Sequence, residues 1–86
     1  MRMFEARLAF SIDEPSHVFP NAVFHEPPAA VSCWEQQSDG RYRLTEPRSV
    51  HWDPQLDRPN LMITCTPAKA VLVRVFADED SVTGAT

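Results

Sequence analysis

Proline content is the feature that most constrains this chain, because eight prolines and only two glycines occur in 86 residues. Each proline fixes φ, removes one backbone donor and biases the residue before it towards extended structure. The segments between the prolines are mostly too short for an amphipathic helix, and their apolar residues alternate as they do in strands. We therefore predict short strands joined by stiff connections. The prolines are Pro15, Pro20, Pro27, Pro28, Pro47, Pro54, Pro59 and Pro67.

Size and charge narrow the possible functions. At 9.7 kDa the chain is one small domain with a thin core, and no apolar run is long enough to span a membrane. The formal charge of −4 argues against a general DNA- or RNA-binding protein, which would need a basic stripe. Glu5 and Arg7 interrupt the region where a signal peptide would be apolar, so we expect a cytoplasmic protein.

The N-terminal third contains one clear strand pattern. Residues 1–12 alternate with period two, with Phe4 and Phe10 on one face, which predicts a half-buried strand. Residues 13–16 follow as a turn. Residues 17–28 are apolar but broken by proline, so they are predicted to form an edge strand or a packed loop.

Residues 30–46 carry a hairpin signature, because Asp39-Gly40 separates two β-prone runs and glycine supplies the positive φ of such a turn. In this hairpin, alternation places Cys33 towards the core and Trp34 on the opposite face. The alternative is a short helix over residues 28–37 that starts at a proline and ends before the glycine. We favour the hairpin, although the sequence alone leaves both open.

Two further apolar segments, residues 61–66 and 70–77, are predicted to pair as a second hairpin around a short turn. Arg74 is the one charge in the second segment and should reach solvent or pair with an acid. Before them, residues 47–60 predict a long irregular connection in which only residues 49–52 form a brief strand.

Together these segments predict a mainly β domain over residues 1–77, or an α+β domain with one short helix. The expected architecture is a small antiparallel β-sandwich or partly open barrel of five to six strands. We expect the first and last long strands to be neighbours in the middle of a sheet. Residues 78–86 lack a pattern and are predicted to be a flexible acidic tail.

No catalytic residue, metal site or cofactor is predicted. Cys33 and Cys65 lie in different apolar segments, and we interpret them as two small buried thiols in preference to a disulfide or a reactive site. His51 and Asp53 could join Cys33 as the residue types of a cysteine hydrolase, but an apolar strand disfavours the reactive thiolate. The histidines lack the spacing of metal ligands.

Aromatic and arginine side chains are the strongest candidates for a function, because Trp, Tyr and Arg dominate the energetics of protein interfaces. A hairpin could place Trp34 beside Arg41 or Arg43 and form an exposed patch. The competing interpretation is that one tryptophan closes the core and the other covers a loop. The candidate partner-contact residues are Trp34, Arg41, Tyr42, Arg43 and Trp52.

These observations favour a small non-enzymatic module that binds another protein, as an inhibitor or an assembly subunit, in the form of a monomer or homodimer. Its acidity suggests a basic target such as a nucleic-acid-processing enzyme, with no direct contact to nucleic acid or membrane. The profile is typical of small inhibitors encoded by phages or mobile elements. The alternatives are a structural subunit of a virion or secretion assembly, and a small cysteine-dependent enzyme or ligand-binding barrel.

Overall fold

The structure, a computed structural model, describes residues 1–9, 14–55, 57 and 59–84. Within these ranges the protein is mainly β, its sheets are antiparallel, and no α-helix occurs, which confirms the predicted fold class. The strands are β1 (Arg2–Leu8), β2 (Val23–Phe24), β3 (Ala30–Gln36), β4 (Tyr42–Thr45), β5 (Ser49–Trp52), β6 (Leu61–Thr64), β7 (Val71–Ala77) and β8 (Val82–Thr83).

A four-stranded sheet in the order β1-β7-β3-β4 forms one layer of the molecule. Strand β7 lies between β1 and β3, as expected for a strand that is apolar on nearly both faces. The first and last long strands are therefore neighbours, as predicted. Of these two, however, only β7 is an inner strand, because β1 lies at the edge of the described sheet.

The second layer consists of two strand pairs, β5–β6 and β2–β8. On the edge of β6 away from β5, Ile63 forms an isolated antiparallel bridge with Ser16. The core lies between this layer and the four-stranded sheet, which contributes Val73 and Val75 from β7 and Phe4 from β1. Three phenylalanines, Phe4, Phe19 and Phe24, meet edge to face in this core with ring centroids 6.1 to 6.4 Å apart.

The predicted hairpin of residues 30–46 is confirmed, because β3 and β4 pair with Trp34 opposite Leu44. Gly40 has a φ of 87°, so the turn uses the positive φ that glycine adopts readily. The alternative of a helix over residues 28–37 is wrong. Alternating side chains on β3 pack on one face against the core, and a helix would not keep that period.

The second predicted hairpin is wrong. Strand β6 pairs with β5, whereas β7 pairs with β1 and β3, so residues 65–70 cross from one layer to the other. The segment contains Pro67, which lacks the backbone donor that a continuous ladder needs. The predicted brief strand over residues 49–52 is confirmed, because β5 is the partner that β6 takes instead.

Cys33 and Cys65 form a disulfide, so their interpretation as free thiols is wrong, although both are buried as predicted. Cys33 lies on the core face of β3, and Cys65 follows β6 in the opposite layer. The two layers bring their Cα atoms to 6.3 Å, which is within the normal range for a bridged pair. The bond therefore links the two layers across the core.

Two further segments, residues 17–28 and 78–86, each contain a short strand. Val18 and Ala22 are buried, so residues 17–28 form a packed loop that contains the short strand β2. In the segment predicted as a flexible tail, a 3-10 turn (Glu79–Ser81) and strand β8 are present, because β8 finds a partner in β2. Residues 10–13, Leu56, Arg58, Ala85 and Thr86 lie outside the described ranges, and so do the parts of the predictions that fall on them.

Candidate protein-binding surface

The four-stranded sheet turns one face to the core and the other, which we call the outer face, to solvent. Its side chains follow from the register, since residues directly opposite each other on paired strands share a face. One row across the sheet contains Leu44, Trp34, Leu72 and Arg7. The full outer face comprises Met3, Glu5, Arg7, Ala30, Ser32, Trp34, Gln36, Tyr42, Leu44, Leu72, Arg74 and Phe76.

Large apolar side chains are exposed on this outer face. Leu44 is 54% exposed, Met3 43% and Tyr42 36%. A domain this small has few strand positions with which to build its core, yet these three leave apolar side chains in contact with solvent. Leu72 is only 6% exposed, yet it does not belong to the core cluster. It is therefore shielded by its neighbours on the outer face, where Trp34 and Arg7 flank it in register.

Arg74 occupies the centre of the outer face and is held by two neighbours. Its guanidinium carbon lies 5.1 Å from the ring centroid of Trp34, and its Nε donates to Oε1 of Glu5 over 3.3 Å. These contacts are a cation–π interaction and a half-buried ion pair. The expectation that Arg74 would pair with an acid is confirmed, and the pair fixes the guanidinium over the aromatic ring.

Trp34 is fixed from a second direction, because its Nε1 donates to Oγ of Ser32 over 3.2 Å. Its ring therefore lies along β3, between its own row and the row of Ser32 and Arg74. The arginine beside it is Arg74, and neither Arg41 nor Arg43 takes the place predicted for it. The reason is the strand order, since β7 lies next to β3 and presents Arg74 one row away.

The five predicted contact residues separate into two groups. Trp34 and Tyr42 both lie on the outer face. Arg43 points to the opposite side of β4, where it forms an ion pair with Glu35. Arg41 precedes β4 in the turn and approaches Asp39 at 4.0 Å.

Trp52 lies on β5 in the other layer, away from the outer face. Its Nε1 donates to the carbonyl oxygen of Phe24 over 2.7 Å, and the side chain packs against the core. The interpretation that one tryptophan closes the core therefore applies to Trp52. Its role as a partner-contact residue stays a prediction.

Several residues of the outer face were missed by the sequence analysis, above all Leu44, Met3 and Arg74. The alternation of residues 71–77 already places Leu72, Arg74 and Phe76 on one face. What the sequence lacks is the information that this face adjoins Trp34, because that contact depends on the long-range pairing of β7 with β3.

The described residues contain no other group with evident chemistry. No three His, Cys, Asp or Glu side chains among them come close enough to hold a metal ion. Cys33 has no free thiol in its disulfide, so the alternative of a Cys33 nucleophile loses its reactive group. A groove of about 200 Å³ beside β1 is lined by Glu5, Phe19 and Pro20, and this glutamate is already paired with Arg74.

Comparisons of the chain with protein-family models, with curated proteins and with solved structures found no match. In the part of the chain that the structure describes, no helix has the length and apolar character needed to cross a membrane.

Proposed function

We propose that this protein is a non-enzymatic module that binds another protein through the outer face of its four-stranded sheet. The observation that carries this proposal is the exposure of Leu44 and Tyr42 beside Trp34, and of Met3 elsewhere on the same sheet face. Large apolar side chains that are exposed together on one face are characteristic of interaction sites. A sheet face that served only to complete the fold would carry polar side chains on its solvent side.

The centre of the outer face has the properties of an interface anchor. Trp and Arg are the side chains whose removal most often weakens protein complexes, and such residues lie near the middle of the interface. Trp34 and Arg74 are held in place before any partner arrives, by Ser32 and Glu5 respectively. Side chains that are already ordered lose less conformational entropy on binding.

The charges of the outer face give no support to a basic target. Its charged side chains are Glu5, Arg7 and Arg74, of which Glu5 and Arg74 neutralise each other. The acidic surplus of the chain lies elsewhere, for example at Asp78 and Asp80 near the 3-10 turn. The partner surface is therefore expected to be mainly apolar, with room for an acid opposite Arg7.

The disulfide bears on where the protein acts. Disulfides persist in oxidising environments and are rare in the reducing cytosol. The bond between Cys33 and Cys65 therefore favours action in an oxidising compartment over the cytoplasm expected from the sequence.

A pair of matched variants tests the docking surface. Leu44→Glu places a charge on the outer face, whereas Val50→Glu makes the same kind of change at an exposed position on β5 (41% exposed). Amide hydrogen exchange of the dilute protein should show new protection in β3, β4 and β7 when host extract is added or when the protein's own concentration is raised, for the wild type and for Val50→Glu. Leu44→Glu should lose this protection while retaining the wild-type circular dichroism spectrum. Equal protection in both variants would contradict the proposal.

A further inference from the structure

We propose that the occupant of the outer face is a second copy of this chain, so that two sheets stack face to face in a symmetric dimer. This inference rests on the proposed docking role of the outer face and adds the identity of the partner. Sheets that pack face to face lie about 10 Å apart with their strands roughly aligned. A two-fold axis in the plane of the interface makes each copy present the same side chains to the other.

Charge complementarity fixes the direction of that axis. Glu5 and Arg7 lie on the same face of β1, two residues and therefore one row apart. An axis that runs across the strands, between these two rows, places Glu5 opposite Arg7 of the second copy and Arg7 opposite its Glu5. An axis along the strands would place β1 over β4 and leave Arg7 over Leu44.

The same axis brings the two copies of Trp34 together. The ring of Trp34 leans towards Ser32, so it lies over the boundary between the two rows that the axis follows. Two tryptophans near a two-fold axis meet each other, and each has Arg74 beside it. Ala70 directly precedes β7, and its carbonyl oxygen accepts from the Gln36 N–H, which continues the β3–β7 pairing by one residue. One row further out, Phe76 therefore lies opposite Ala70 of the second copy. A large side chain therefore meets a small one, as close packing requires.

The dimensions of the outer face predict a weak, reversible dimer. Four strands spaced about 4.8 Å apart and seven residues of about 3.3 Å each give a face of about 19 Å by about 23 Å. Stacking two such faces buries on the order of 900 Å² in total, which lies below the range of stable complexes and within that of transient ones. The dimer should therefore dissociate on dilution, with a dissociation constant in the micromolar range.

Sedimentation velocity of the oxidised full chain over concentrations from about 1 to about 500 μM tests this inference. The mass should rise with concentration from 9.7 kDa towards twice that value. Arg7→Glu should raise the dissociation constant about tenfold or more, because it sets two carboxylates opposite each other on both sides of the axis. The matched control, Arg48→Glu, makes the same charge change at an exposed position outside the outer face and should leave the constant unchanged.

Mixing two variants gives the sharpest result. Arg7→Glu and Glu5→Arg should each be monomeric alone, because like charges then face each other across the axis. In a mixture, the charges at positions 5 and 7 of one variant each face an opposite charge of the other, so a heterodimer should form. Circular dichroism of each variant checks that it is folded, and Leu44→Glu, which keeps all the paired charges, should also be monomeric.

The outcomes separate this inference from the proposed function. A wild-type mass that stays at 9.7 kDa at every concentration would overturn the dimer. If Leu44→Glu then still loses the exchange protection that Val50→Glu keeps in host extract, the outer face binds a different protein and the docking role stands. A dimer that Arg7→Glu and Arg48→Glu weaken equally would overturn the proposed arrangement.

Discussion

The side-chain amide of Asn60 forms with the backbone of Phe24 the two hydrogen bonds that a neighbouring strand would supply. Its Oδ1 accepts from the Phe24 N–H over 2.8 Å, and its Nδ2 donates to the Phe24 carbonyl over 2.7 Å. The same Nδ2 reaches the carbonyl of Asp53 over 3.0 Å. Asn60 is 3% exposed, so one buried amide joins β2 to the turn between β5 and β6.

Asn60→Ala is therefore expected to destabilise the fold by about 2–4 kcal/mol, because it leaves the buried Phe24 N–H without its partner and removes three hydrogen bonds. Urea unfolding followed by circular dichroism measures the loss. Asn21→Ala is the matched control, since Asn21 is exposed and should change the free energy of unfolding by less than about 0.5 kcal/mol. Similar values for the two variants would contradict the structural role of Asn60.

The two tryptophans should respond differently to truncation. Trp52→Ala removes a donor to Phe24 and core packing, so a loss of about 3–5 kcal/mol is expected. Trp52→Phe keeps most of the packing and isolates the hydrogen bond, at about 1–1.5 kcal/mol. Trp34→Ala should cost less stability than Trp52→Ala, because Trp34 lies on the outer face.

The effects of the two tryptophans on binding should be in the reverse order, with the larger loss at Trp34. Trp34→Ala should abolish the self-association or partner binding of the outer face, whereas folded Trp52→Phe should bind as the wild type does. Chemical unfolding and sedimentation of the same samples give both readings. A Trp34→Ala variant that binds normally would remove Trp34 from the interface.

The disulfide should contribute about 3–4 kcal/mol, because it closes a loop of 32 residues in the unfolded chain. Urea unfolding of the wild type with and without a reductant measures this contribution. The double variant Cys33→Ala/Cys65→Ala is the control, since the reductant should not change its unfolding midpoint. A wild-type midpoint that is insensitive to complete reduction would be inconsistent with this contribution.

The oxidising compartment has a separate test. Cells are lysed in the presence of an excess of a thiol-blocking reagent, and the mass of the recovered protein counts the modified cysteines. Protein that acts in an oxidising compartment should carry no label without prior reduction. Two labels on protein from undisturbed cells would mean that both cysteines are reduced there, and this result would contradict the oxidising compartment.

Local patterns in the sequence predict the parts of this fold that depend on near neighbours. Asp39-Gly40 predicts the hairpin, and period-two alternation separates Cys33 from Trp34 by face. The choice of β5 as the partner of β6, and the position of β7 between β1 and β3, are not specified by alternation alone. Such pairings depend on the fit of the complete core.

The same limit applies to the candidate site. The aromatic residues of the outer face could be identified from their types, but the arginine beside Trp34 could not, because its contact needs the β3–β7 pairing. The structural role of Asn60 could not be predicted from the sequence for a different reason. It follows Pro59 in a segment with the composition of a turn, and only the buried backbone of Phe24 gives its amide a structural role.

Gly40 provides a test of the hairpin that carries Tyr42 and Leu44. Its φ is 87°, and a Cβ added there would meet no atom within 4 Å, so a substitution acts through backbone strain and not through a clash. Gly40→Val should cost about 1–2 kcal/mol, because a β-branched residue rarely adopts this φ. Asparagine has more side-chain heavy atoms than valine but tolerates the left-handed region, so Gly40→Asn should cost clearly less than Gly40→Val.

Thermal unfolding distinguishes the two variants, since 1 kcal/mol corresponds to a shift of about 4–8 °C in Tm for a domain of this size. The larger loss for Gly40→Val should also weaken binding by the outer face, because the turn sets the register that aligns Leu44 with Trp34. If Gly40→Val and Gly40→Asn lowered Tm equally, side-chain bulk would be the cause and the positive φ of the turn would be contradicted.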